Sequence, residues 1–301
     1  MLGSMIVDVL SRSPELVVTA TVREETLRQS ARRLIPSIVW QRLDAAEVDS
    51  PTDLAVLDGH DWVVNCIGIT KPLIRDDRRD EVERAVRINS LLPHMVAARA
   101  QALGARVIQI ATDCVYSGRE GSYREGDAHD PLDVYGKSKS LGEVRQAGVH
   151  HLRCSIVGPE PKEYKFLLEW FRRQPRGAQV SGYVNHRWNG VTTLGFAKLC
   201  LGVITSNLDL PCVQHVVPSG AASKAEMLQA FARAFHREDI TVRPLNAEET
   251  VDRTLNTDAP ELNRTLWRLG GYPAPPTVPD MIVELSTFPY RMAGLAAVGI
   301  A

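Results

Sequence analysis

The sequence predicts an α/β protein built on a doubly wound parallel sheet, with a smaller C-terminal lobe. Strand-like runs alternate with helical stretches of about 10 to 15 residues, the signature of βαβ units. Two of the runs, Asp61 to Ile69 and the one ending at Ala111, read as buried strands. The chain has 301 residues, enough for such a unit with a full core.

Each element has a local reason. Leu2, Ile6, Val7 and Leu10 recur at helical spacing, so a helix is expected from residue 2 to about 12. Leu16 to Val22 is β-rich, a charged helix follows to about Arg33, and Ile38-Val39-Trp40 is a short strand. Ser50-Pro51 starts a helix, since proline suits the first turn. Asp61 to Ile69 is a buried strand ending in Asn65 and Gly68. Arg75 to Arg87 is a solvated helix dense in both charge signs, and Pro93 predicts a kink or fresh start near Asn89. Arg106 to Ala111 is a strand, and a polar loop runs from Ser117 to Asp133. Val134 to about Gln146 is a helix and His150 to Ile156 a strand, with His150 and His151 pointing to opposite faces, one buried and one exposed. Val213 to Val217 is a strand, Ser223 to Phe235 a helix, and Leu269 to Pro279 an irregular connector before a last helix. Residues 1–158 form the expected core domain. Residues 159–301 form the lobe, interleaved with the last sheet strands at about 190–217.

Composition excludes several classes. Lys plus Arg (35) nearly balances Asp plus Glu (36), so no global field attracts nucleic acid or an anionic membrane. The five cysteines form no CxxC, which points to reduced thiols, a cytoplasmic location and no metal site. No stretch reaches the length and apolarity of a membrane span.

The sharpest chemical signal is Tyr135-Gly136-Lys137-Ser138-Lys139. A spacing of four puts Tyr135 and Lys139 on one helix face. The Lys139 ammonium is expected to lower the Tyr135 pKa toward neutrality and ready it for proton transfer; a surface pair is the alternative. Upstream, Ala111-Thr112-Asp113 ends a buried strand, where doubly wound folds open their ligand crevice.

Ala111-Thr112-Asp113-Cys114-Val115-Tyr116-Ser117-Gly118, followed by Val134-Tyr135-Gly136-Lys137-Ser138-Lys139-Ser140-Leu141-Gly142-Glu143, resembles the extended short-chain dehydrogenases/reductases. Within them it is most similar to the dTDP-4-dehydrorhamnose reductase group. Asn89, Arg153 to Gly158 and Arg253 to Thr257 also fit. The resemblance implies a Rossmann-like core and NADPH-dependent reduction of the 4-keto group of a nucleotide-linked deoxysugar. Thr112 would polarise the ketone, Tyr135 would protonate the alkoxide, and Lys139 would hold the nicotinamide ribose. Gly3, Arg23, Asp44, Cys66, Ile67 and Gly68 would lie along the cofactor, with Arg23 favouring NADPH over NADH through the 2′-phosphate. Asp113, Arg187 and Trp188 would face the substrate. Cys114 stands where the related dehydratases carry an acid, which argues against elimination. A 4-epimerase and a non-catalytic, reductase-like regulatory subunit are the alternative readings. A homodimer is one assembly left open.

The front departs from the pattern. The family begins with a strand and Gly-x-x-Gly-x-x-Gly, and here only Met1-Leu2-Gly3-Ser4 matches its end. The expectation is that about a dozen residues lie upstream of Met1, and that the sheet without them lacks its middle strand and binds NADPH weakly.

Overall fold

The computed structural model describes residues 1–161 and 164–295. Leu2, Met5, Ile6, Val9 and Leu10 share the buried side of α1 (Leu2–Leu10). The chain continues through β1 (Thr19–Val22), α2 (Glu25–Leu34) and β2 (Val39–Arg42). β1 and β2 pair in parallel, Thr19 beside Val39, with α2 as the crossover. β1 starts later than the apolar run beginning at Leu16. Val17 is 91% exposed, so propensity without a partner strand does not extend it. Pro51 opens only 3-10 turns, to Leu57.

β3 (Trp62–Asn65) leads through α3 (Arg79–Ala85) and α4 (Leu92–Leu103) to β4 (Arg106–Ala111). The irregularity expected near Asn89 is a stretch of π-helix, Val86–Leu91, between α3 and α4. α5 (Val134–Leu141) and β5 (Val149–Arg153) follow. All five residues of β5 are buried. This corrects the expectation for the histidines: both His150 and His151 are inside, because both faces of the strand are covered.

The later half runs β6 (Ile156–Val157), α6 (Leu167–Arg172), β7 (Gln179–Tyr183), β8 (His186–Trp188), β9 (Val191–Thr192), α7 (Thr193–Thr205) and β10 (Val213–His215). Then come β11 (Ala222–Ser223), α8 (Lys224–Ala234), β12 (Thr241–Leu245), β13 (Val251–Asp252), α9 (Pro260–Leu269) and α10 (Val278–Thr287). β10 returns to the main sheet, whose parallel order is β10-β5-β4-β3. β8 lies between β11 and β13, and β12 pairs with β7.

The sheet is covered on both faces. Ile108 and Leu152 point into a cluster with Met5 of α1, Phe196 of α7, Phe231 of α8, Trp267 of α9 and Ile282 of α10. Val107 and Val149 point the other way, against Ala85, Leu92 and Val96. β1 and β3 each pair on one edge only among the described residues, and no described strand lies between them. Both border the same large cleft. Among the described residues no helix is long and apolar enough to cross a membrane, and no group of three or more His, Cys, Asp or Glu is arranged to hold a metal ion.

Candidate active site

The ends of β3 and β4 meet the start of α5 at one cleft of about 2420 Å³. Asp133 caps α5 by accepting from the Gly136 amide at 2.9 Å, and Lys71 pairs with that carboxylate at 2.7 Å. Gly136 then lies flat on the turn Asp113–Val115 that follows β4. A Cβ there would fall 2.2 Å from the Cys114 carbonyl oxygen and 2.7 Å from Pro131 Cβ. The helix ends at Leu141, short of the expected Gln146, and its cap Gly142 meets the Asn89 carbonyl just as closely, at 2.0 Å for an added Cβ. Asn89 completes the support. Its amide donates to the Ile69 carbonyl at 2.9 Å and to Ser138 Oγ at 3.1 Å, and its oxygen accepts from the Ile69 amide at 2.8 Å. Gly136→Ala is expected to lift α5 from the turn after β4, lowering stability by about 1–3 kcal/mol with turnover lost; thermal melts and rate assays check both.

Thr112, Tyr135 and Lys139 come together. The Thr112 hydroxyl donates to Asp113 Oδ1 at 3.2 Å and accepts from the Cys114 amide at 3.2 Å, with the Tyr135 phenol beside it. Lys139 is 8% exposed, and its Nζ donates to the Ile110 carbonyl at 3.0 Å. That uses one of three N–H donors and leaves two for a ligand.

The electrostatics correct one expectation. Burial pushes the Tyr135 pKa above its ordinary value; Asp113 adds to this, and Thr112 only partly opposes it. The Lys139 ammonium does not bring it down to the neutral range. Burial lowers Lys139 itself to about 8, against the nearby Glu143 carboxylate. Tyr135 is thus held in its protonated form at neutral pH, the form a proton donor needs. Burial also raises the Asp113 carboxyl, with Arg253 opposing, and pushes the Cys66 and Cys114 thiols up to about 12.

Gly3, Cys66, Ile67, Gly68, Asp113, Arg187 and Trp188 line the same cleft. A Cβ on Gly3 would sit 3.5 Å from Cys66 Cβ, so the start of α1 and the end of β3 are neighbours. Arg187 lies 3.7 Å from Asp252. Two expected cofactor residues, Arg23 and Asp44, adjoin the lining residues Val22 and Leu43 without lining the cleft themselves. The Arg23 guanidinium is half exposed and pairs with the adjacent Glu24 at 2.8 Å. Asp44 caps a turn by accepting from the Ala46 amide at 3.0 Å. In both cases a sequence neighbour takes the side chain.

Sequence reasoning missed two groups. Arg153, 1% exposed, forms a hub beneath the site. It donates to both Glu143 oxygens, at 2.8 and 2.6 Å, to Tyr116 Oη at 2.7 Å, to His215 Nε2 at 2.7 Å and to His129 Nε2 at 2.9 Å. The signal available was a charged residue closing an apolar strand. The other is Lys224, which enters the cleft wall from the first turn of α8. Its signal was a cation at a helix start, where the macrodipole favours the opposite sign.

The family model described as "RmlD substrate binding domain" matches residues 1–277. The chain belongs to this RmlD substrate-binding family. A dTDP-4-dehydrorhamnose reductase of Mycolicibacterium smegmatis is 25% identical over 203 residues, covering 62% of this chain and 58% of that protein. The methionine adenosyltransferase 2 subunit beta of Bos taurus is 35% identical over 201 residues, covering 63% of this chain and 59% of that one. The RmlD-family chain therefore aligns with less than two thirds of the length of these relatives. Among solved structures, the dTDP-4-dehydrorhamnose reductase of Bacillus anthracis in complex with NADP superposes with a TM-score of 0.67. It is 18% identical, with 90% of this chain and 99% of that one covered, and it supports the Rossmann-type fold.

Proposed function

We propose that this RmlD-family chain is an NADPH-dependent ketoreductase acting on the 4-keto group of a nucleotide-linked deoxysugar. The observation that carries the reading is the convergence of Thr112, Tyr135 and Lys139 in one cleft, with Tyr135 kept protonated by burial. The Mycolicibacterium relative, named a dTDP-4-dehydrorhamnose reductase, supports the substrate class.

The residues fit a dinucleotide at two points. Lys139 keeps two N–H donors toward the cleft, suited to ribose hydroxyls. No side chain caps the first turn of α1, so its amides and Gly3 are available to a phosphate. When bound, the nicotinamide supplies the reducing equivalent. Thr112 orients the sugar ketone through its hydroxyl. Tyr135 gives the phenolic proton to the developing alkoxide, and the Lys139 cation stabilises the phenolate left behind. Ile110 fixes Lys139 for that role through its carbonyl.

The test is a panel of nucleotide-4-keto sugars with NADPH oxidation as readout. Turnover of at least one is expected, faster with NADPH than with NADH. The bovine relative favours a second reading, a non-catalytic regulatory subunit. Nucleotide binding without turnover on the whole panel would decide for it.

A further inference from the structure

Lys224 lines the cleft together with Thr112, Asp113 and Tyr135. Its side chain is half-buried, and burial lowers its pKa. It makes no hydrogen bond or ion pair among the described residues, although the Asp113 carboxyl lies within electrostatic reach. Its helix does not account for it. Ser223 and Glu226 close a capping box at the start of α8, and the positive end of the macrodipole opposes a cation there. Arg253 is the second cation of this region. Its Nε donates to the Tyr116 carbonyl at 3.0 Å, and no carboxylate among the described residues pairs with it. It too acts on Asp113 and lines the cleft. Asp113 is the one carboxyl among the described residues within electrostatic reach of both, so two cations face a single acid.

Two cations that line one cleft, with no carboxylate among the described residues in an ion pair with either, are suited to a ligand that supplies the counter-charge. We propose that Lys224 and Arg253 form an oxyanion-binding pair that takes a negatively charged group of the substrate, a diphosphate or a ring carboxylate, in the cleft that holds Thr112 and Tyr135. The arginine offers a planar fork of donors and the lysine a compact point charge. The assignment deepens the nucleotide-sugar reading and rests on it.

The experiment measures binding rather than turnover. UDP, dTDP, UMP, UDP-glucose and UDP-glucuronic acid are titrated calorimetrically into the full chain and into Lys224→Met and Lys224→Arg. If the anion is the diphosphate, UDP and dTDP bind about tenfold or more weakly to Lys224→Met, UMP changes little, and Lys224→Arg stays near wild type. If it is a ring carboxylate, only UDP-glucuronic acid loses that affinity. Either pattern supports the pair. Unchanged affinities for every probe, or no binding of any probe to the wild type, overturn it. Melting midpoints separate a structural role, because removing a half-buried unpaired charge leaves the midpoint unchanged or raised. A lowered midpoint with unchanged binding counts against the proposal. Failure of the ketoreductase reading has a different signature: no 4-keto sugar oxidises NADPH, while UDP or UDP-sugar binding still depends on Lys224.

Discussion

Replacing Tyr135 by Phe is expected to lower kcat by about 10²–10⁴-fold while NADPH binding stays within about twofold. Phenylalanine keeps the ring in its buried seat and removes only the hydroxyl beside Thr112. The cofactor-facing donors of Lys139 are untouched, because Lys139 is anchored to Ile110 rather than to the phenol. The pH dependence assigns the partners. Lys139 titrates at about 8 and Tyr135 well above its ordinary range, so turnover is expected to fall as pH rises through about 8, when the ammonium is lost. Rate profiles of wild type and Lys139→Arg check this, since arginine stays charged and moves the limb upward. Near-normal kcat in the Tyr135→Phe protein would remove the tyrosine from the mechanism.

The second large effect is on stability. Arg153→Met is expected to cost about 3–5 kcal/mol, a large share of the total for a folded domain. The substitution leaves Glu143, itself largely buried, without its bidentate partner. It also leaves His129 and His215 without the donor that fixes them. Each accepts from Arg153 through Nε2, so its proton sits on Nδ1, where Ser140 Oγ and the Asn256 carbonyl accept it at 2.7 Å. Arg153→Met with Glu143→Met is expected to recover much of the loss, which a double-mutant cycle in urea reads directly.

The same hub makes the wild type acid-sensitive. Burial holds the His215 pKa down to about 4, and His129 is lowered in the same direction. An unfolded chain takes up these protons first, near pH 6.5. The stabilisation is therefore complete above that pH and is lost as pH falls toward about 4, on the order of a few kcal/mol. Glu143, held below its usual range, extends the loss at the acid end. Urea midpoints across this window test the sign.

What could be read from the chain was local. Tyr135 and Lys139 share a face because of helical spacing alone, and Thr112 ends a strand whose apolar run is plain in the sequence. What escaped was decided by distant neighbours. α7 is buried nearly all round, with Phe196, Leu199, Cys200 and Val203 inside, so it shows no amphipathic stripe to read. α5 ends where Gly142 meets Asn89, a contact across the fold. Lys224 lies in the wall of the cleft because other elements cover it, not because of anything in Ser223-Lys224-Ala225. Arg23 and Asp44 are engaged locally, by Glu24 and the Ala46 amide next to them in sequence.

The division of the sheet has a consequence for cooperativity. β1, α2 and β2 close over a cluster of their own, Ala20, Ala31, Ile35, Ile38 and Trp40, finished by Met292. Val18 and Tyr290 touch both this cluster and the main one, but no backbone ladder runs across among the described residues. A two-strand sheet is marginal by itself. The amides of this segment are therefore expected to exchange with solvent before those of Arg106–Ala111, which hydrogen exchange reads directly. Thr112, Tyr135 and Lys139 stand on the other side of the cleft, after β4 and on α5.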